Sequence, residues 1–319
     1  QYARDFEGVM ADDPVLFHQI IKLLPAQIDE QYVLAILYLI EKASIFNELA
    51  IEGTCELLNK FVPDLTPNTC ANIIIAYCNC ISSHAKADWP DTILDKVLYI
   101  AEAHPHPASD EFVVTSSSDP NHISRRDLLD NGNNCVRGAA LRALSQFFMY
   151  HAEKTDKIKC CVAHGVNDGN PAVRYVLLDC VSLFLGRDNT FAWKCFTKLV
   201  SLDIRIIGHH HVSYFVIEFF AEHKEFFLAQ IESVLNSENS ELIGCASKLL
   251  AGIFVYYGEF KEVLFRQRYP SYMAKAIVEQ LVHTLSKTKY EERSKECLIH
   301  VLSHSEDALG AIEFRLFSD

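Results

Sequence analysis

The chain has 319 residues, of which half are hydrophobic and 22% charged, with only 12 glycines and 10 prolines. That composition excludes a disordered or collagen-like chain and suits helices joined by short turns. A surplus of 42 acidic over 29 basic residues sets the formal net charge at −13, which argues against nucleic-acid binding, because phosphate neutralisation needs clustered Lys and Arg.

Taken in chain order, apolar residues recurring at steps of three and four predict helices over Pro14–Leu24, Glu30–Lys42, Phe46–Phe61, Asn68–Ser83 and Asp88–Ala103. The next stretch breaks this rhythm. Residues 105–131 carry prolines, the run Ser116–Ser118 and several Asp and Asn residues. A loop of about 25 residues inside a compact array is uncommon and often functional. Its apolar Phe112 and the basic pair Arg125 and Arg126 are the candidate partner-binding residues.

Beyond the loop, one pattern repeats. Val136, Ala139, Ala140, Ala143, Leu144, Phe147 and Phe148 follow a 3, 1, 3, 1, 3, 1 spacing. Val173, Val176, Leu177, Cys180, Val181, Phe184 and Leu185 repeat it 37 residues later. In both copies an arginine (Arg137, Arg174) follows the leading valine. Similar stripes start at Val212 and Ile243, so the four leading residues lie 37, 39 and 31 residues apart. A fixed period of this length is a two-helix unit with two turns. Second helices are expected at Lys157–Gly165, Phe191–Leu202, Lys224–Leu235 and Glu259–Arg266. Asn170-Pro171 reads as an N-cap followed by proline at the first helical position. Further helices are expected at Tyr272–Ser286, Tyr290–Leu302 and Glu306–Phe317.

The expected fold is therefore all-α: a solenoid of HEAT/TPR-like helix pairs with about 16 helices. Its parts are N-terminal repeats (1–104), the irregular loop (105–131) and further repeats (132–319), in one continuous stack.

No catalytic motif competes with this. The chain has no glycine-flanked serine elbow and no GxxxxGK phosphate loop. Most of the eleven cysteines sit in apolar stripes, as small buried hydrophobes of a reducing compartment do. Cys78-Asn79-Cys80 and Cys160-Cys161 lack metal or redox spacing. His209-His210-His211 invites a metal, but consecutive helical residues point about 100° apart, so a helix start or surface cluster is the simpler expectation. In extended backbone His104 and His106 would face the same side, yet nothing nearby in sequence completes a ligand set. No catalytic, cofactor or metal residue is therefore expected. Without a signal peptide or a long apolar run, a cytoplasmic location with no membrane contact is expected. The absence of an initiator methionine suggests a segment of a longer polypeptide.

Arg137, Asp168 and Arg174 are expected to be structural residues. Aspartates before such helices commonly pair with arginines across the turn or on the next repeat; ligand binding is the alternative.

The Val136-Arg137 and Val173-Arg174 units, each after an Asn/Asp-rich turn, resemble HEAT repeats over about residues 130–255. The run Leu128-Leu129-Asp130-Asn131-Gly132-Asn133-Asn134-Cys135-Val136-Arg137-Gly138-Ala139-Ala140 resembles a signature in the C-terminal regions of bacterial STAND NTPases, including AVAST-type antiphage sensors. There an Asn–x–Val–Arg–Gly–Ala–Ala run opens a HEAT-like helix after a variable loop. Here Asn134-Cys135 departs from the usual Asn plus small residue.

The resemblance implies a non-enzymatic sensor that binds a phage structural or packaging protein, downstream of an NTPase, with oligomerisation confined to the full-length protein. The alternative is a stand-alone HEAT-repeat adaptor or scaffold. A helical-repeat DNA glycosylase would need a basic groove, at odds with the acidic balance.

Overall fold

The computed structural model describes residues 2–115, 123–265, 268–285 and 287–305. Among them the chain is all-α, with seventeen α-helices and no strand beyond an isolated Tyr269–Ser305 bridge. No described helix is long and apolar enough to cross a membrane. The predicted Glu306–Phe317 helix, Ser116–Ser118 and Arg266 lie outside the described residues.

The chain divides into two compact units, residues 1–196 and 197–319. The first holds α1 (Tyr2–Ala11), α2 (Pro14–Leu23), α3 (Glu30–Ile40), α4 (Ala43–Phe61), α5 (Ala71–Ser83) and α6 (Asp91–Ala103). After the interruption come α7 (Arg125–Asn133), α8 (Val136–Tyr150), α9 (Lys159–Gly165) and α10 (Pro171–Ser182). The division falls within α11 (Asn189–Leu202), and not at residues 105–131.

Within the first unit α1, α3, α5, α8 and α10 form a row, each packed on the next. Helices α2, α4, α6 and α9 follow their row helices in sequence. The stripes explain the row. Val136, Ala139, Ala140, Ala143, Leu144, Phe147 and Phe148 are all buried, and so are Val173, Val176, Leu177, Cys180, Val181 and Phe184. Burying a branched or aromatic side chain contributes about 1.5–3 kcal/mol, so each stripe holds its helix far more strongly than propensity does. Equivalent thiols mark equivalent joints: Cys80 Sγ donates to the Leu37 carbonyl and Cys180 Sγ to the Leu141 carbonyl, both at 3.3 Å.

Two features depart from the expected boundaries. Helix α4 contains a break at Ala50 (φ 56°, ψ 176°), a conformation natural to glycine. Residues 125–131, expected as loop, are helical. Ser124 Oγ accepts from the Asp127 N–H at 3.0 Å, while the Asp127 carboxylate accepts from the Ser124 N–H at 3.0 Å. This reciprocal capping box starts α7. Arg125 and Arg126 therefore sit in a helical turn and not in a loop.

The second unit holds α12 (Val212–Phe219), α13 (Lys224–Leu235), α14 (Ser240–Tyr257), α15 (Lys261–Phe265), α16 (Ser271–Leu285) and α17 (Glu291–His304). Its centre is α14, which packs on α13, α15, α16 and α17. A repeated device closes its turns: Lys224 Nζ meets Glu259 and Lys261 Nζ meets Glu296, both at 2.5 Å. Each lysine also lies over a phenylalanine ring, Phe220 or Phe265.

Candidate functional site

Residues 104–115 form a strap over the helix ends of the first unit, and a small set of side chains holds it there. Arg137, in the first turn of α8, grips Asp168 through two parallel hydrogen bonds, Nε to Oδ2 at 2.8 Å and Nη2 to Oδ1 at 2.9 Å. Its Nη1 donates to the His104 carbonyl at 2.7 Å. The two side chains are only 12% and 8% exposed, so this fork is largely desolvated. One arginine thus ties the end of α6, the start of α8 and the turn before α10. Arg174 donates instead to the carbonyls of Asp168 and Gly169, at 2.6 and 3.2 Å.

Further along, His106 Nδ1 accepts the Val136 N–H at 3.2 Å, and Nε2 lies 3.0 Å from Glu111. Asn170 caps α10 by accepting the Ala172 N–H at 2.9 Å, and Pro171 takes the first helical position, as the spacing predicts. The Asn170 amide also donates to the carbonyls of Ala108 and Glu111, at 2.8 and 2.9 Å. Asn131 then pairs with both main-chain groups of Val113, at 2.8 and 2.6 Å, imitating a strand partner. Finally Asp127, fully buried, accepts the Thr115 N–H and hydroxyl, at 2.8 and 3.1 Å.

Two recesses flank the strap. One, of about 580 Å³, is lined by His106, Glu111, Phe112, Asp130, Asn131 and Asn170 among others. The second, of about 530 Å³, lies between the ends of α6 and α9 and is lined by Glu102, His104, Arg137, His164 and Asp168 among others. His104 is 5% exposed, and its Nδ1 accepts the His106 N–H at 3.1 Å. That assigns the ring proton to Nε2, which has no protein partner. Burial lowers the pKa of His104, so the ring is neutral near pH 7.

The structure thus brings Phe112 to one recess, half-buried, beside Val113, which is 61% exposed. Arg126 stands largely in solvent, 3.5 Å from Asp130 one turn on. Arg137 and Asp168 meet each other, and they line the second recess while Phe112 lines the first. Sequence reasoning missed Asp127, Asn131 and Glu111, and weighed His106 only as a metal ligand. The Ser124-x-x-Asp127 spacing was a usable signal for the first. Asn131 and His106 act on main-chain groups 18 and 30 residues away, which no local pattern announces, while the Glu111 carboxylate meets the nearby His106 ring and Ala108 N–H.

Most of the cysteines are buried. All eleven are free thiols, and burial pushes Cys78, Cys161 and Cys297 up to about 12 and Cys135 up to about 11. At these buried positions the thiolate is suppressed at neutral pH.

The expectation for His209-His210-His211 rested on helical geometry, and the backbone there is not helical. A 3₁₀ turn, Ile204–Gly208, ends at His209 (φ −71°, ψ 140°), and α12 begins only at Val212. The three rings consequently cluster, and their ligand-type nitrogens lie within 4.8 Å of one another.

Comparison with protein-family models, curated proteins and solved structures finds no match.

Proposed function

We propose that this chain acts by binding a folded protein, as the ligand-sensing region of a larger bacterial STAND NTPase that detects a phage structural or packaging protein. The family part of this reading rests on the Asn134-to-Ala140 run. The binding part rests on one observation: main-chain groups of the strap are held by neighbouring side chains while the side chain of Val113 stays exposed and that of Phe112 half-buried. Asn131, Asp127 and Asn170 hold main-chain groups of Ala108, Glu111, Val113 and Thr115, leaving Val113 outward and Phe112 lining a recess. A segment ordered before binding loses little further entropy when a partner docks. The acidic balance of −13 favours partners with basic patches and speeds their encounter.

The test is co-expression with individual phage structural and packaging proteins, followed by affinity capture. The expected result is capture of one such protein, weakened about tenfold or more, roughly 1.4 kcal/mol or above, by the pair Phe112→Ser and Val113→Asp. Capture unaffected by that pair would refute the strap as the contact. A constitutive complex with host proteins, from a polypeptide without an NTPase, would favour the adaptor reading instead.

A further inference from the structure

We propose that His209, His210 and His211 form a binding site for a divalent transition-metal cation of the zinc, nickel or copper class. Adjacent residues reach a common ion only where the backbone turns between them, and here it does. His209 leaves the 3₁₀ turn in extended conformation and His211 occupies the bend before α12 (φ −75°, ψ −12°). Ring centroids are 4.4 Å apart for His209–His210, 4.1 Å for His210–His211 and 5.4 Å for His209–His211.

The donor nitrogens already lie within 4.8 Å of one another. Zinc–nitrogen bonds of about 2.0–2.1 Å in a tetrahedron place two nitrogens about 3.4 Å apart. Ligation would close that gap by side-chain rotation. Burial is graded as an entry path requires: His209 is 3% exposed, His211 half-buried and His210 exposed. Three neutral imidazoles suit zinc, nickel and copper and not calcium or magnesium, which prefer oxygen.

Binding has one identifiable local consequence. His209 Nδ1 accepts the His211 N–H at 3.2 Å, which puts the ring proton on Nε2. Ligation through Nδ1 uses that lone pair directly; ligation through Nε2 moves the proton to Nδ1. Either way the hydrogen bond ends, so the His211 amide is a reporter of occupancy.

The experiment uses the full chain, stripped with a chelator and titrated with zinc by calorimetry, then with cobalt by visible absorption. One equivalent is expected, with tetrahedral d–d bands, no thiolate charge-transfer band, and a shifted His211 amide signal. His210→Ala, at the exposed position, is expected to weaken binding about tenfold or more, and His209→Asn with His210→Ala and His211→Ala to abolish it. Retention of the bound equivalent in the triple variant overturns the proposal. A synthetic peptide of residues 204–216 that binds zinc as tightly as the chain also overturns it, since the fold would then contribute nothing. A thiolate band in the cobalt complex would move the metal to cysteine and refute the assignment.

Discussion

Asp168→Ala removes one half of the Arg137 fork and leaves a guanidinium that is 12% exposed with its carboxylate gone. Breaking a buried pair from one side costs about 3–5 kcal/mol, because the remaining charge stays desolvated. Arg137 retains the His104 carbonyl at 2.7 Å, which places the loss at the lower end, about 3 kcal/mol. Asp168 Oδ1 also accepts the Asn170 N–H at 2.8 Å, so the turn before α10 loosens as well. The assay is selective by construction. Both tryptophans, Trp89 and Trp193, belong to the first unit, so tryptophan fluorescence during urea unfolding follows that unit. With a slope of about 2 kcal/mol/M, a loss of this size lowers the urea midpoint by about 1.5 M. Replacing both partners, Arg137→Met with Asp168→Leu, is expected to recover all but about 1 kcal/mol. A loss under about 1 kcal/mol for Asp168→Ala would rank the pair with ordinary surface ion pairs and refute its role as an anchor.

Gly138→Ala is expected to destabilise the first unit by about 3 kcal/mol. A Cβ there would stand 1.8 Å from the Gly132 carbonyl oxygen, whereas one at Gly8 meets nothing within 4 Å. Gly8→Ala is the matched control, and equal midpoints for the two variants would contradict the close approach of α7 and α8. For pH, His104 has its pKa lowered by burial. The unfolded chain therefore takes up a proton first as pH falls through about 6.5, and stability drops. His84, lowered by burial too, adds to that slope; Glu41, raised by burial, contributes with the opposite sign, its share present at low pH and lost as pH rises. His104→Gln should flatten the fall below pH about 6.5, and an unchanged pH profile would show that the ring stays solvated.

The stripes carried most of what the sequence alone could say. Val136 to Phe148 and Val173 to Phe184 are buried as their spacing requires, because a helix that alternates threes and fours has only one face to bury. Asn170-Pro171 was legible for a related reason: a cap acts on the backbone two residues away, within the reach of a local pattern. Ser124-Arg-Arg-Asp127 was equally local, and the Ser and Pro residues upstream obscured it.

Arg137 and Asp168 were marked by the repeat units, but the rest of the candidate site was not legible in that way. Asn170 meets carbonyls 59 and 62 residues back, and Asn131 meets a main chain 18 residues earlier. Such contacts depend on which helix ends stacking brings together. The three histidines show the same limit over the shortest range. Their identity was plain, but the 100° rule that separated them presumed a helix, and a 3₁₀ turn ending at His209 removed it. Sequence determined the helices and their buried faces, since those follow from periodicity along the chain. Tertiary structure decided the strap, its anchors and the histidine cluster, since each depends on backbone geometry or neighbours that periodicity does not encode.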